Sequence, residues 1–365
     1  MTEVLKDLQF TYVSHLLQFR FEAGTSRGVL TEKKIFLVRA FQKKDPQTIG
    51  WGEAAPLVKL SVDDIPDFEI HLENLCRNLS GTSISPDENS ILDWAGNHIP
   101  SFLPSIRFAF EIALLDLLHK GVKMIFDTSF FRKKQNIPIN GLIWMGAKDF
   151  MLEQIDNKLA EGYSCIKMKI GAIDFDQECE LLGYIRQKFN ASQITLRVDA
   201  NGAFTKEDAI LKLDKLASFD LHSIEQPVRQ GQVELMAELC RQSLLPIALD
   251  EELIGVDSYQ EKKKLLDKVK PQYIIIKPTL LGGIGASREW IQLAEDMGIA
   301  WWVTSALESN IGLNAIAQFT STYSITMPQG LGTGQLYKNN FDSPLTISNG
   351  YLEYRMEKTP WKVEL

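Results

Sequence analysis

"CIKMKIG", residues 165–171, sets two lysines into an otherwise apolar stretch. In a strand, positions two apart share a face. Lys167 and Lys169 therefore point one way, and Ile166, Met168 and Ile170 the other. Two ammonium groups side by side among apolar neighbours repel each other and lose hydration, and both effects favour the neutral amine. The stretch reads as a strand that carries a basic lysine.

Short apolar runs of the same kind recur from Ile137 onward: "IPINGLI", "CIKMKI", "ITLRVD", "HSIEQP", "PIALDE", "YIIIKP", "IAWWVT" and "YSITMP". Amphipathic stretches such as "MLEQIDNKLAEG" and "ASREWIQLAEDMG" lie between them. Strands alternating with helices predict an α/β fold whose main body, residues 136–337, is a (β/α)8-type barrel. An open doubly wound sheet is the alternative, but no GxGxxG follows the first strand, and "GLGTG" near residue 330 reads as a loop. Residues 1–135 read as a separate α+β unit, with strand-like "QFTYVSHLLQF" and "KKIFLVRAFQ". Helical spacing follows in "VDDIPDFEIHLENLCRNL" and in "SIRFAFEIALLDLLHKG", the latter closed by Gly121. The last segment, about 338–365, has more strand and aromatic character than a tail needs, and is expected to pack back on the first unit.

The charges at the ends of the runs form a series. Strand two ends in Lys167 and Lys169, strand three in Asp199, strand four in Glu225, strand five in Asp250 and strand six in Lys277. Strand seven runs into "TSALES", with Ser305 and Glu308. In such barrels the working side chains come from the C-terminal ends of several strands. Any one of these residues alone reads as a helix cap or a solvated loop position; five successive strands ending in charge do not. Three carboxylates brought together in a dry site repel strongly unless a cation sits among them. Oxygen ligands favour a hard ion such as magnesium. Glu251 and Glu252 are expected in supporting or surface roles, and Trp301 and Trp302 in barrel packing.

Composition narrows the classes. The chain has 365 residues, 45% hydrophobic and 24% charged, which is ordinary for a globular protein of one large or two smaller domains. A net charge of −8 argues against a broad nucleic-acid surface. The four cysteines are scattered without a CxxC pair, which suits a reducing compartment. Neither a signal pattern nor a spanning apolar run is evident, so a soluble cytoplasmic protein is expected. The five histidines lie outside the series of strand ends, and neither Ser305 nor Ser309 has a visible histidine partner for nucleophilic chemistry.

Taken together, KMK at 167–169, VDAN at 198–201, IEQP at 224–227, LDE at 249–251 and KP at 277–278 resemble the enolase superfamily, muconate-lactonizing subgroup. The resemblance extends over nearly the whole chain, including "GWGEAAPL" and "SIRFAFEIALLDL". It implies that residues 1–135 cap the barrel mouth, with Gly24–Gly28 ("GTSRG") as a mobile lid. It implies that Asp199, Glu225 and Asp250 hold magnesium, or manganese in its place. Lys169 is then the base that removes a proton next to a substrate carboxylate, Lys167 lies beside the carboxylate and depresses its neighbour's pKa, and Lys277 gives electrostatic support. Ser305, Glu308 and Asn201 are expected at the substrate. Within the subgroup the chain most resembles the members that dehydrate a hydroxycyclohexadiene carboxylate to an aromatic acid for menaquinone. Racemases of N-succinyl amino acids and dipeptide epimerases share the frame, although "TMPQGLGTGQ" lacks the acidic pair that such epimerases carry after strand eight. A non-catalytic barrel would lack some of these charges, and none is missing. The partner implied is a small carboxylate, not nucleic acid or membrane, and self-association is left open.

Overall fold

The structure is a computed structural model and describes residues 4–25, 28–357 and 359–363. Three long strands open the chain: β1 (Leu8–Thr25), β2 (Gly28–Gln42) and β3 (Asp45–Ala54), paired antiparallel in the order β1-β2-β3. The β1–β2 hairpin narrows to Thr25 opposite Gly28. Ser26 and Arg27, the centre of the expected lid, lie outside the described residues. Three helices follow: α1 (Phe68–Leu79), α2 (Glu88–His98) and α3 (Pro104–Leu118). Only α2 lacks the clear apolar spacing that announces the other two. Asp87 caps it by accepting from the Ser90 N–H.

Helix α3 is buried along nearly its whole length and ends where Gly121 (φ +70°) donates back to the Asp116 carbonyl. Its close approach to β3 depends on two glycines. A Cβ at Gly52 would stand 1.8 Å from the Ala109 carbonyl oxygen, and one at Gly50 would stand 2.0 Å from that of Ala113.

The second body begins with β4 (Ile137–Pro138) and β5 (Gly141–Ile143), then alternates α4 (Lys148–Ala160), β6 (Cys165–Lys169), α5 (Phe175–Lys188), β7 (Thr195–Asp199) and α6 (Ala209–Ala217). It continues with β8 (Ser223–Glu225), α7 (Val233–Gln242), β9 (Ile247–Leu249), α8 (Tyr259–Val269), β10 (Tyr273–Ile276), α9 (Pro278–Leu281), α10 (Gly283–Asp296), β11 (Ala300–Val303) and α11 (Asn310–Thr320). Seven parallel strands form one sheet in the order β5 to β11. The eighth expected strand, "YSITMP", is not a strand. Pro328 lacks a donor, and pairing is confined to the next two residues. Gln329 donates to Pro138 and accepts from Asn140, while Gly330 donates to Val303 and accepts from Ser305. Those four bonds link the two edges of the sheet.

The chain ends in a hairpin, β12 (Leu345–Ser348) and β13 (Tyr351–Tyr354), which pairs with β4. The preceding residues run against β1, where Arg20 donates to Leu336 and Lys338 to Gln18. No helix among the described residues is long and apolar enough to cross a membrane.

One side chain ties a loop of the first unit to α3. Asp63 is buried, and its Oδ2 accepts from the Ser105 N–H (2.8 Å) and hydroxyl (2.6 Å) at the start of α3. Burial outweighs these bonds and pushes its carboxyl up to about 6. An acid raised in the folded state binds more protons there than in the unfolded chain, so stability falls as pH rises from about 4 to 6. The unfolding free energy of the wild type should therefore decline over that window relative to Asp63→Asn, read by urea denaturation at several pH values. A constant difference would contradict the assignment. For the helix contact, Gly52→Ala is expected to lower stability by about 3 kcal/mol, seen as a lower urea midpoint, because the new methyl would run into the Ala109 backbone.

Candidate active site

Parallel register carries the charged residues to one end of the sheet. Lys169 stands opposite Asp199, Asp199 opposite Glu225, and Asp250 and Lys277 follow directly after β9 and β10. All of β6 is buried, including both lysines. Ile166, Met168 and Ile170 fill the apolar core behind them.

The two lysines are not left facing each other. Asp199 Oδ2 lies 2.9 Å from Lys169 Nζ and 3.1 Å from Lys167 Nζ, so one carboxylate oxygen serves both ammonium groups. Lys167 also pairs with Glu225, and Lys277 pairs with Asp250 and stands 3.9 Å from Glu225. The sequence places the two lysines on one face but does not show the acids interleaved with them. Burial alone would lower the Lys167 amine, but the charges of Asp199, Glu225 and Asp250 outweigh it and hold it above the ordinary lysine value. Lys277 is raised in the same way: Asp250, Glu225 and Glu251 override its burial. Asp199 is held far below the usual carboxylate range despite burial, by Lys167, Lys169 and Lys277. Asp250 is likewise held low by Lys277. Glu225 goes the other way, because burial and the neighbouring Asp199 charge, joined by Asp250, push it well up.

Glu225 Oε1 is buried and makes no hydrogen bond. Among the described residues, no three His, Cys, Asp or Glu side chains form a ready metal cluster, because lysines stand between the acids. The donor chemistry nevertheless fits a hard divalent ion: three buried carboxylates on adjacent strands, one with an oxygen lacking a hydrogen bond.

The strand ends form the floor of a cavity of about 540 Å³, which Lys167, Lys169, Asp199, Asn201 and Lys277 line. Phe21, Leu30 and Leu57 of the first unit and Trp144 of the second supply apolar wall. An apolar enclosure over a charged floor suits a small molecule with a hydrocarbon body and an acid head. Asn201, at φ +42°, accepts from Lys169 (2.7 Å) and donates to Glu251 Oε1 (3.0 Å). Ser305 lines the cavity.

Glu308 does not line it. It is fully buried behind the wall, where its two oxygens accept from Thr279 and Ser305. Glu251 and Glu252 are buried rather than at the surface. The sequence reading also passed over Gln226, which follows Glu225 directly. Its amide donates to Glu252 (3.1 Å), and its carbonyl accepts from the Asp250 and Glu252 N–H groups (3.3 and 3.2 Å). A polar residue between a strand-ending acid and a proline was the available signal, and in the structure it takes a positive φ (+40°).

Comparison with known proteins agrees with this arrangement. Residues 151–358 match the family described as Enolase C-terminal domain-like. The chain is 47% identical to an o-succinylbenzoate synthase of Desulfotalea psychrophila, covering 95% of this chain and 99% of that protein. The solved structure of MenC from Desulfotalea psychrophila superposes with a TM-score of 0.84 at 44% identity, covering 95% and 99% of the two chains. An N-succinylamino acid racemase from an Amycolatopsis species is 26% identical over 90% of this chain and 87% of its own. With the curled parallel sheet, the antiparallel unit before it and a family match over more than half its length, the chain belongs to the enolase superfamily.

Proposed function

We propose that this protein is an o-succinylbenzoate synthase, converting 2-succinyl-6-hydroxy-2,4-cyclohexadiene-1-carboxylate to 2-succinylbenzoate and water in menaquinone biosynthesis. The reading is supported above all by 47% identity, over nearly the full length of both chains, to a protein of that name. The cavity accords with it, since an apolar ring carrying two acid groups matches its apolar wall and basic floor.

In this reading Lys169, in its amine form, takes the ring proton next to the carboxylate. The C–H electron pair moves into the carboxylate as an enediolate and then forms the new ring double bond as the C–O bond to the hydroxyl breaks. The same Lys169 returns the proton to the departing hydroxyl, which leaves as water, so proton and hydroxyl depart from one face. Aromatisation makes the step favourable. A divalent ion held by Asp199, Glu225 and Asp250, magnesium or manganese, would supply positive charge where the second negative charge gathers. Asn201, hydrogen bonded to Lys169, keeps the amine aimed into the cavity. Lys277, three strands further round the sheet than Asp199, adds positive charge on the opposite side. Asn201 and Ser305 contact the substrate, and water is excluded by the first unit. We take that unit as residues 1–135 and the catalytic body as 136–337, with 338–365 returning across both. The enzyme would act on a small molecule in the cytoplasm.

The second reading is racemisation of N-succinyl amino acids. It draws support from the presence of both Lys169 and Lys277 in the cavity and from the Amycolatopsis relative.

Purified protein given magnesium should aromatise the hydroxycyclohexadiene precursor, followed by the ultraviolet change, and do so faster than it exchanges the α-proton of N-succinyl amino acids. Rapid exchange with the precursor untouched would overturn the synthase in favour of the racemase. Chelation with EDTA should abolish turnover and magnesium restore it; full activity without a divalent ion would contradict the ligand assignment. Lys169→Ala is expected to lose about 10²–10⁴-fold or more in turnover with an unchanged circular dichroism spectrum. A variant retaining a tenth of the wild-type rate removes Lys169 as the base.

A further inference from the structure

Behind the cavity wall formed by residues 305–307 lies a buried lysine that does not enter the cavity. Lys33, on β2, is 4% exposed, and its ammonium donates to the carbonyls of Ala306 (2.7 Å) and Leu307 (3.1 Å). Tyr337 donates to the same Leu307 carbonyl at 2.6 Å. From inside the turn, the Leu307 N–H donates to the Ser305 hydroxyl (3.1 Å). Four hydrogen bonds thus converge on three consecutive residues that line the cavity.

The turn needs them. Leu307 sits at φ +65°, a left-handed conformation that a branched side chain adopts only where its surroundings over-determine it. The first unit holds the next residues as well. Glu53, fully buried on β3, accepts from the N–H groups of Ser309 and Gly312 (both 2.8 Å) at the start of α11. Burying an ammonium group is costly unless hydrogen bonds and nearby charge compensate it. Lys33 is lowered by burial, while Glu308, Glu53 and Asp63 face it as opposing charges. A buried cation from one unit, spent on two carbonyls of a strained turn in the other, is hard to account for by packing alone, which an apolar side chain would serve.

We propose that Lys33 is a positioning residue: from the antiparallel sheet it fixes the strained Ser305–Leu307 turn and so sets the cavity wall against which the substrate lies. Lys33 does not itself touch the substrate. The inference rests on the proposed reaction only in its kinetic consequence; the structural consequence stands apart from it.

The test compares the full-length wild type with Lys33→Met, which keeps the length and burial but removes the charge and donors, and with Tyr337→Phe. Hydrogen–deuterium exchange followed by peptide mass spectrometry reads the turn directly. Exchange across residues 305–309 should quicken by about tenfold in Lys33→Met, in line with loss of one to two hydrogen bonds, and less in Tyr337→Phe. Strands β6–β9 should remain protected. With the precursor, kcat/KM should fall about 10- to 100-fold, chiefly through KM, while the temperature of unfolding changes little. If Lys33→Met does not fold, Lys33→Gln takes its place, since its amide can still donate over a shorter reach. Exchange at 305–309 and kcat/KM both as in the wild type would overturn the proposal. Faster exchange in a protein without synthase activity would uphold the role of Lys33 and remove the reaction instead.

Discussion

Asp199 is the side chain on which the site depends. It faces Lys169 across the β6–β7 register and holds Lys167 as well, so a pair that would repel becomes part of an alternating array. The same logic extends round the sheet through Glu225, Asp250 and Lys277. Each charge is buried, Lys277 only partly, and each is tolerable only because its neighbours carry the opposite sign. The array leaves Glu225 as the carboxylate least able to keep its charge, with one oxygen that has no hydrogen bond. That is where added positive charge would count most.

The array works only under a roof, and the roof is attached through helix ends. Glu53 caps α11 after the seventh parallel strand, and Glu111 on α3 accepts from the Ile284 and Gly285 N–H groups at the start of α10. A helix N-terminus offers unpaired donors and partial positive charge, so each buried carboxylate finds a fitting partner across the junction. Burial nevertheless pushes Glu111 up to about 8. Gly283 is required there, because a Cβ would stand 2.1 Å from Glu111 Oε2. The two contacts fall just behind the loops that follow β10 and β11, so the first unit is anchored where the cavity needs its wall.

The barrel class and its charged strand ends were legible because both are local patterns: apolar runs of strand length, each finished by a charge. The same strand-end residues carry the family resemblance. What was not legible depended on register and orientation. "YSITMP" has strand composition, yet closure falls to Gln329 and Gly330 beyond the proline. Glu308 stands three residues from Ser305 but turns behind the wall, since Leu307 reverses the chain between them. The lysine pair suggested repulsion because sequence does not show that Asp199 lies between the two. Lys33 and Gln226 are hidden for a related reason: the partners of Lys33 are carbonyls 273 and 274 positions away, and Gln226 joins the next strand end, Asp250 and Glu252, partly through backbone.

In the proposed reaction Lys169 removes the proton next to the ring carboxylate, and this loss leads directly to the aromatic product. The most direct measurement is a single-turnover reaction with precursor deuterated at that carbon, following the ultraviolet signal of the product. The account predicts slower aromatisation than with the protiated compound, and complete loss of the deuterium from the product. Aromatisation at an unchanged rate with that deuterium retained, or deuterium exchange without any aromatic product, would contradict it.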